Sequence, residues 1–240
     1  VYGASAAGAR AMTSSSSPGI SLKMEGLSYL AGSRLPCVVA NVMRAGPGLG
    51  NITPSQGDYF QATKGGGHGD YHVICLAPHS VQDTADYTVL AFDLADKYRV
   101  PVMILSDGMI GQMLENIILP ENKPDSKLLK KDWALKGAKN RERNVIRSLW
   151  LYPADAVEKN NILLQETYKQ ITANEIRFEE YMLNDAEVIF TAFGISARIC
   201  KGTIDVLRKQ GIRCGLFRPI TLWPFPYKKL EEYTNSARVK

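Results

Sequence analysis

An arginine followed directly by a glycine-rich turn is the feature of this sequence that most clearly suggests a binding or catalytic site. Arg44 ends an apolar, β-branched run at residues 35–43, and glycines follow at positions 46, 48 and 50. The run predicts a buried strand. Ligands of open parallel sheets bind outside the carboxyl ends of the strands, and a guanidinium can hold a carboxylate with two parallel hydrogen bonds. A carboxylate site is therefore one interpretation of these residues. The simpler alternatives are two tight turns for the glycines and an ion pair between Arg44 and a nearby acid such as Asp58 or Asp70.

Two further segments have residue types that are found both in tight turns and in ligand sites. The cluster Gly-Gly-Gly-His-Gly-Asp occupies residues 65–70, and a serine run at 14–17 precedes Pro18 and a predicted helix. Glycine at this density permits backbone with positive φ or close approach to another group. A helix N-terminus can hold an anion, and capping of the helix by serine explains the serine run equally well.

Spacing excludes several common kinds of site. The glycines at 46, 48 and 50 are not a dinucleotide fingerprint, because the third comes one position early and Pro54 interrupts any following helix. No C-x-x-C pair is present, so neither a zinc knuckle nor a cysteine-ligated iron–sulfur cluster is encoded. We interpret the four cysteines as buried thiols of a reducing compartment: Cys37, Cys75, Cys200 and Cys214. With no signal peptide and no membrane-length apolar run, the expected location is cytoplasmic, away from any membrane.

The net charge of +5 is concentrated in one segment. Residues 121–147 contain nine Lys and Arg against four acidic residues, so the rest of the chain is neutral. A neutral remainder argues against a general nucleic-acid surface. The basic run is either a solvated loop or a contact for an acidic partner or a phosphate-bearing ligand. We expect it to be mobile unless another subunit or an anion covers it.

Strand and helix patterns alternate along the chain, which predicts an α/β fold with a parallel sheet and helices on both faces. Predicted strands lie at residues 11–15, 35–43, 71–77, 100–105, 187–193 and 212–217, and predicted helices at 18–33, 81–98, 155–182 and 197–210. Residues 218–226 form an extended rim before a last helix. We divide the chain into residues 1–119, an α/β domain whose N-terminus is missing; 120–184, a basic connector with a long helix; and 185–240, a smaller α/β domain whose C-terminus is missing.

The order of motifs resembles the α subunit of 2-oxoacid:ferredoxin oxidoreductases. The resemblance rests on TSSSSPGISLKMEGLSYLAG, then NVMRAGPGLGNITPSQGDYFQATKGGGHGDYH, then the basic connector, FGISAR and RPITLWPFP. It covers nearly the whole chain and is closest to the branched-chain (2-oxoisovalerate) and 2-oxoglutarate enzymes. It implies a pyrimidine-binding domain for thiamine diphosphate, followed by a domain similar to the transketolase C-terminal domain.

The resemblance also implies a division of labour among subunits. A β subunit would bind the diphosphate and Mg²⁺, and an iron–sulfur subunit would carry the clusters. Coenzyme A, ferredoxin and a 2-oxoacid would be the other reactants, with the thiamine ring as electron sink. The family's activating glutamate and its Tyr-Pro-Ile-Thr-Pro segment lie upstream of Val1. This polypeptide alone is therefore expected to be inactive and to bind thiamine diphosphate poorly.

The resemblance assigns site residues by position. Arg44 matches the arginine at the substrate pocket and is the catalytic candidate. The cofactor-binding candidates are Gly46, Pro47, Gly48, Thr53, Gln56, Gly57 and Asp58, and no metal ligand is assigned. Where many 2-oxoglutarate members read Gly-Pro-Ser-Thr-Gly, residues 46–50 read Gly-Pro-Gly-Leu-Gly, which favours a branched or otherwise apolar 2-oxoacid.

Three functions from different classes remain open at this point. The first is the enzyme subunit just described. The second is a non-catalytic scaffold or assembly subunit, since the activating glutamate is not in this sequence. The third, a nucleotide-binding regulatory domain, rests on glycine turns alone. Thiamine diphosphate binding by the α and β subunits together distinguishes the first two.

Overall fold

The computed structural model describes residues 1–119 and 130–235. Seven helices are found in this part of the chain: α1 (Tyr2–Ala6), α2 (Pro18–Gly32), α3 (Tyr59–Thr63), α4 (Val81–Tyr98), α5 (Ala156–Asn174), α6 (Gly194–Lys209) and α7 (Tyr227–Thr234). The strands there are β1 (Met12–Ser15), β2 (Cys37–Met43), β3 (Ile74–Leu76), β4 (Pro101–Asp107), β5 (Phe178–Tyr181), β6 (Val188–Thr191), β7 (Cys214–Pro219) and β8 (Thr221–Trp223). A 3₁₀ turn covers Ile110–Gln112.

The larger sheet has the strand order β1-β2-β4-β3-β8. Its first four strands are parallel, which confirms the predicted βα alternation. The pairing of β2 with β4 runs from Cys37 opposite Pro101 to Met43 opposite Asp107. Helix α2 covers one face of this sheet, and α4 and α5 cover the other. The carboxyl ends of β2 and β4 therefore meet at one edge, where Arg44 follows.

The edge strand β8 was predicted only as an extended rim. It pairs antiparallel with β3, although about 145 residues separate the two strands in sequence. The chain therefore returns from the smaller sheet to complete the larger one. The smaller sheet has the order β5-β7-β6, with β6 parallel and β5 antiparallel to β7. Helix α6 packs on it through Ala197 and Ile204.

The long helix ends earlier than the sequence predicts. We predicted a helix over residues 155–182, which is wrong beyond Asn174, because residues 178–181 form β5. Glu175 follows the helix and is almost fully buried. Its carboxylate accepts hydrogen bonds from the Lys97 ammonium at 2.7 Å and the Tyr98 hydroxyl at 2.5 Å. These partners on α4 hold the chain at the point where it leaves the helix.

The connector is anchored to the larger sheet's own helices where the structure describes it. The Lys131 ammonium lies 2.6 Å from the Asp96 carboxylate, and both side chains are almost fully buried. The Leu135 amide donates to the Ala6 carbonyl at 2.8 Å. The expectation that the whole basic run needs an external partner for order is therefore wrong for residues 131–135. Residues 121–129 of that run lie outside the described residues.

Candidate functional site

Arg44 closes the loop that follows β2. Its Nη1 donates to the carbonyl of Leu49 at 2.5 Å and to that of Asn51 at 2.9 Å. The Ala45 amide donates to the Thr53 carbonyl at 2.9 Å, so residues 45–53 fold back on the end of the strand. Arg44 was expected to pair with an acid if it had no ligand, and it pairs with backbone carbonyls instead. Its Nε and Nη2 donors have no partner among the described residues.

The glycines of this loop have different roles. Gly50 has φ +58°, and a Cβ there would lie 1.7 Å from the Ala45 carbonyl oxygen. Only glycine fits this position, so Gly50 is needed to close the loop. Gly48 also has a positive φ, of +66°, but a Cβ there would meet nothing within 4 Å. The loop therefore presents open backbone at Gly48.

A cleft of about 350 Å³ lies between this loop and the N-terminus of α2. It brings together six of the eight predicted site residues, and its lining consists of Arg44, Gly46, Pro47, Gly48, Gly57, Asp58, Ser17, Pro18, Ser21 and Gln61. The serine run had suggested an anion site or a cap. The Ser17 side chain makes no capping hydrogen bond to α2, and its hydroxyl points to the Gly48 carbonyl at 3.4 Å. No sequence signal pointed to Ser21 or Gln61.

Asp58 contributes a carboxylate to the cleft wall. The buried Asn41 of β2 donates from Nδ2 to Asp58 Oδ2 at 3.1 Å. Asn41 Oδ1 is also buried and has no hydrogen-bond partner within residues 1–119 and 130–235. An amide on the otherwise apolar face of β2 thus fixes the orientation of the Asp58 side chain.

Two predicted site residues lie outside the cleft. Thr53 donates from its amide and its hydroxyl to Asn51 Oδ1, at 2.9 Å and 2.5 Å, and so stabilises the loop. Gln56 donates from Nε2 to the Phe193 carbonyl at 2.8 Å, and its Oε1 accepts from the Ser196 hydroxyl at 3.0 Å. Thr53 and Gln56 therefore hold the loop in place without lining the cleft.

The second glycine cluster packs against the chain itself. A Cβ at Gly67 would lie 2.6 Å from both the Met24 carbonyl oxygen and the Tyr71 hydroxyl. The Tyr71 hydroxyl donates to the Gly65 carbonyl at 2.6 Å, and burial raises the pKa of Tyr71 to about 12. The cluster thus allows the loop to approach α2 closely, and it does not line the cleft. His68 within it is exposed.

A polar cluster joins α4 to the smaller sheet. The Arg218 side chain is 4% exposed, and it donates from Nη1 to Asp83 at 2.8 Å and from Nε to Glu179 at 2.7 Å. Burial raises the pKa of Asp83, but hydrogen bonds from His79 and the charge of Arg218 outweigh burial and hold that pKa well below its ordinary value. The pKa of Glu179 is likewise lowered, because hydrogen bonding from Lys201 and the charge of Arg218 exceed the effect of burial. These ion pairs stabilise the contact between the two sheets.

A larger cleft, of about 760 Å³, lies on the other side of α3. Five aromatic residues of α3 and of residues 222–227 contribute to its wall, and it contains none of the predicted site residues. Among the described residues, no group of three or more His, Cys, Asp or Glu side chains is placed to hold a metal ion. In the same part of the chain, no helix has the length and apolar character needed to cross a membrane.

Comparison with known proteins defines the class of this α/β chain. Residues 1–185 match the family model described as pyruvate flavodoxin/ferredoxin oxidoreductase, thiamine diP-bdg. Residues 186–239 match the model of pyruvate:ferredoxin oxidoreductase core domain II. The chain belongs to the family of α subunits of 2-oxoacid:ferredoxin oxidoreductases, as its motifs predicted.

Individual relatives agree with this family. The chain is 52% identical over 241 residues to the ketoisovalerate oxidoreductase subunit VorB of Methanothermobacter marburgensis, covering 99% of this chain and 67% of that protein. It is 36% identical over 255 residues to the 2-oxoglutarate synthase subunit KorA of Methanocaldococcus jannaschii, covering 94% of this chain and 67% of the relative.

A solved structure resembles the whole chain. It is the 2-oxoglutarate:ferredoxin oxidoreductase from Magnetococcus marinus with 2-oxoglutarate, coenzyme A and succinyl-CoA bound. The TM-score is 0.82 at 26% identity, over 100% of this chain and 46% of that one. This chain therefore spans less than half of that solved chain.

Proposed function

We propose that this chain acts, together with a β subunit, in the oxidative decarboxylation of a 2-oxoacid to an acyl-CoA and CO₂ with reduction of ferredoxin. The observation that carries this proposal is the cleft at the carboxyl end of β2, where Arg44, open glycine backbone and Asp58 come together. Its position agrees with the general placement of ligands in open α/β sheets. The family membership of the chain supports the same reaction.

Arg44 holds the carboxylate of the 2-oxoacid in this proposal. Its Nη1 is used to close the loop, so Nε and Nη2 are the donors that remain for a substrate. These two donors form one edge of the planar guanidinium and match the two oxygens of a carboxylate. The hydrogen bonds to Leu49 and Asn51 also fix the guanidinium plane before substrate arrives, which lowers the entropic cost of binding.

The cleft fits the aminopyrimidine end of thiamine diphosphate. Asp58 and Gln61 offer hydrogen-bonding side chains, and the backbone at Gly46 and Gly48 has no Cβ to block a ring. When bound, thiamine diphosphate supplies the nucleophilic carbon and the electron sink for decarboxylation. We propose that Gly46, Pro47, Gly48, Gly57 and Asp58 contact it. Thr53 and Gln56 support the loop.

The resemblance to the family supports a proposal for the remaining cofactors and partners. We propose that a β subunit binds the diphosphate with Mg²⁺, that an iron–sulfur subunit carries the clusters, and that coenzyme A and ferredoxin are co-reactants. A cytoplasmic location is supported by the free thiols of the four cysteines: Cys37, Cys75 and Cys214 are buried as predicted, whereas the prediction is wrong for Cys200, which is only partly buried. We retain the division into residues 1–119, 120–184 and 185–240 as a proposal, with β8 as the segment that returns to the first unit.

An apolar 2-oxoacid such as 2-oxoisovalerate is the proposed substrate. Residues 46–50 offer no side-chain hydroxyl for a distal carboxylate, and the Leu49 side chain is exposed on this loop. The identity to the ketoisovalerate subunit exceeds that to the 2-oxoglutarate subunit. 2-Oxoglutarate remains the second candidate, supported by the overall similarity to the Magnetococcus marinus enzyme.

Reconstitution of the full-length α subunit with its β and iron–sulfur subunits tests the proposal. Reduction of ferredoxin is measured with coenzyme A and each of 2-oxoisovalerate, 2-oxoglutarate and pyruvate. We expect the highest kcat/KM with 2-oxoisovalerate. In parallel, calorimetric titration should show micromolar thiamine diphosphate binding by the α–β complex and much weaker binding by the present chain alone. Assembly of a complex that binds no thiamine diphosphate would support the scaffold function instead.

A further inference from the structure

The side chain of Gln56 connects the candidate site to the second α/β unit. Both of its polar atoms bond to the segment at the start of α6: Nε2 donates to the Phe193 carbonyl at 2.8 Å, and Oε1 accepts from the Ser196 hydroxyl at 3.0 Å. These contacts span about 140 residues of sequence, from the loop after β2 to the turn after β6. A primary amide that makes one donor and one acceptor bond in this way is fixed in orientation.

Gly194 allows this contact to form. A Cβ at Gly194 would lie 2.8 Å from Gln56 Nε2 and 3.2 Å from Asp107 Oδ2, and the residue has φ +58°. The backbone conformation therefore favours glycine here, and a Cβ would displace the Gln56 amide from its position. Glycine at position 194 therefore allows α6 to approach the loop closely.

Asp107 provides a second attachment beside the first. This buried residue ends β4, and its Oδ2 accepts from the Ile195 amide at 3.2 Å. Its Oδ1 accepts from the amides of Met109 and Ile110, at 3.0 Å and 3.1 Å. The carboxylate thus fixes the start of α6 relative to the carboxyl edge of the larger sheet, where the cleft lies.

We infer that Gln56 is a positioning residue, through which the second α/β unit sets the place of the Gly57–Asp58 wall of the cleft. Gln56 directly precedes Gly57 and Asp58, which line the cleft, while its own side chain faces away to Phe193 and Ser196. Movement of the start of α6 would therefore move the cleft wall with it. The functional part of this inference rests on the proposed function; the structural link between the two units does not.

The test compares variants of the full-length α subunit in the assembled complex. Gln56→Ala removes both hydrogen bonds of the contact, Ser196→Ala removes only the bond to Gln56 Oε1, and the double variant combines the two changes. Gln165→Ala, on the exposed surface of α5, is the matched control. Hydrogen exchange of the amides in residues 45–58, the KM and kcat for 2-oxoisovalerate, and the dissociation constant of thiamine diphosphate are measured for each.

We expect Gln56→Ala to speed exchange in residues 45–58 and to raise KM or the thiamine diphosphate dissociation constant by roughly tenfold, since small displacements of a site are costly. Ser196→Ala, which keeps the hydrogen bond to the Phe193 carbonyl, should have a smaller effect in the same direction. The double variant should be no worse than Gln56→Ala, because both remove the same contact. Gln165→Ala should match the wild type. If Gln56→Ala raises KM or the thiamine diphosphate dissociation constant without faster exchange in residues 45–58, Gln56 is a direct ligand contact and the inference is overturned.

Gly194→Ala gives an independent check. In the wild-type background its Cβ would meet the Gln56 amide, and in the Gln56→Ala background that obstruction is gone. Its effect on exchange in residues 45–58 should therefore be smaller in the second background. Equal effects in both backgrounds would refute the contact. Should the complex turn over no 2-oxoacid, the exchange measurements still decide the link between the units, and the failure belongs to the proposed function.

Discussion

Replacement of Arg44 by lysine tests the centre of the proposed site. Lysine keeps the charge but has a single ammonium, so it cannot bond the Leu49 and Asn51 carbonyls and present a forked edge to a carboxylate at once. Loss of a charge-assisted bidentate contact costs on the order of 3 kcal/mol, which corresponds to roughly a 10²-fold fall in kcat/KM. Release of the loop carbonyls adds to this loss, so the fall should be roughly 10²-fold or more.

The assay is steady-state ferredoxin reduction by the reconstituted complex over a range of 2-oxoacid concentrations. Arg141→Lys is a suitable control, because Arg141 also donates to backbone carbonyls, those of Gly137 and Glu142, but lies on the exposed connector. Arg141→Lys should leave kcat/KM unchanged. If Arg44→Lys turns over the 2-oxoacid at near wild-type efficiency, the carboxylate is bound elsewhere and the assignment of Arg44 is wrong.

Further predictions concern stability. Glu175→Ala should lower the free energy of unfolding by roughly 1–3 kcal/mol in urea titrations, because the Tyr98 hydroxyl and the partly exposed Lys97 and Arg177 side chains lose a charged hydrogen-bond acceptor; an unchanged midpoint would contradict this. The folded-state pKa values of Asp83 and Glu179 are lowered, so the stability that these carboxylates contribute is complete above their unfolded-state pKa values, near 4, and is lost as the pH falls below those values. Between pH 7 and pH 3, the melting temperature of Asp83→Asn should therefore fall less than that of the wild type. Gly67→Ala should destabilise the protein by roughly 1–3 kcal/mol through overpacking. Gly26→Ala, at an exposed helical position with open space, should stabilise it by about 0.5–1 kcal/mol. A higher melting temperature for Gly67→Ala than for Gly26→Ala would refute both predictions.

Helix α4 shows what local sequence determines. Its predicted and observed bounds coincide at Val81–Tyr98. The Ser80 hydroxyl accepts from the Asp83 amide at 3.0 Å, and Arg99 ends the helix in the left-handed conformation with φ 55°. Caps of this kind involve residues only a few positions apart, so they can be predicted from the local sequence. The parallel strands β2, β3 and β4 were likewise predicted from short apolar runs.

Contacts distant in sequence decided the remaining elements. The end of α5 depends on Glu175 meeting Lys97 and Tyr98, which lie about 77 residues away. Strand β8 exists only because β3 is there to pair with it. Neither partner can be recognised from local periodicity, because a short apolar segment has no fixed conformation until a neighbour satisfies its backbone hydrogen bonds.

Part of the candidate site could be predicted from the sequence, and part depends on contacts between residues that are distant in sequence. The sequence by itself predicted that Arg44 follows a strand. It also predicted that five loop residues lie near Arg44, because they are close along the chain and belong to the family motif: Gly46, Pro47, Gly48, Gly57 and Asp58. Only the tertiary structure brought the start of α2 across the cleft, with Ser17 and Ser21, and turned Gln56 toward the second unit. The direction of a side chain depends on which surface packs against it, and here that surface comes from α6, about 140 residues further along the chain.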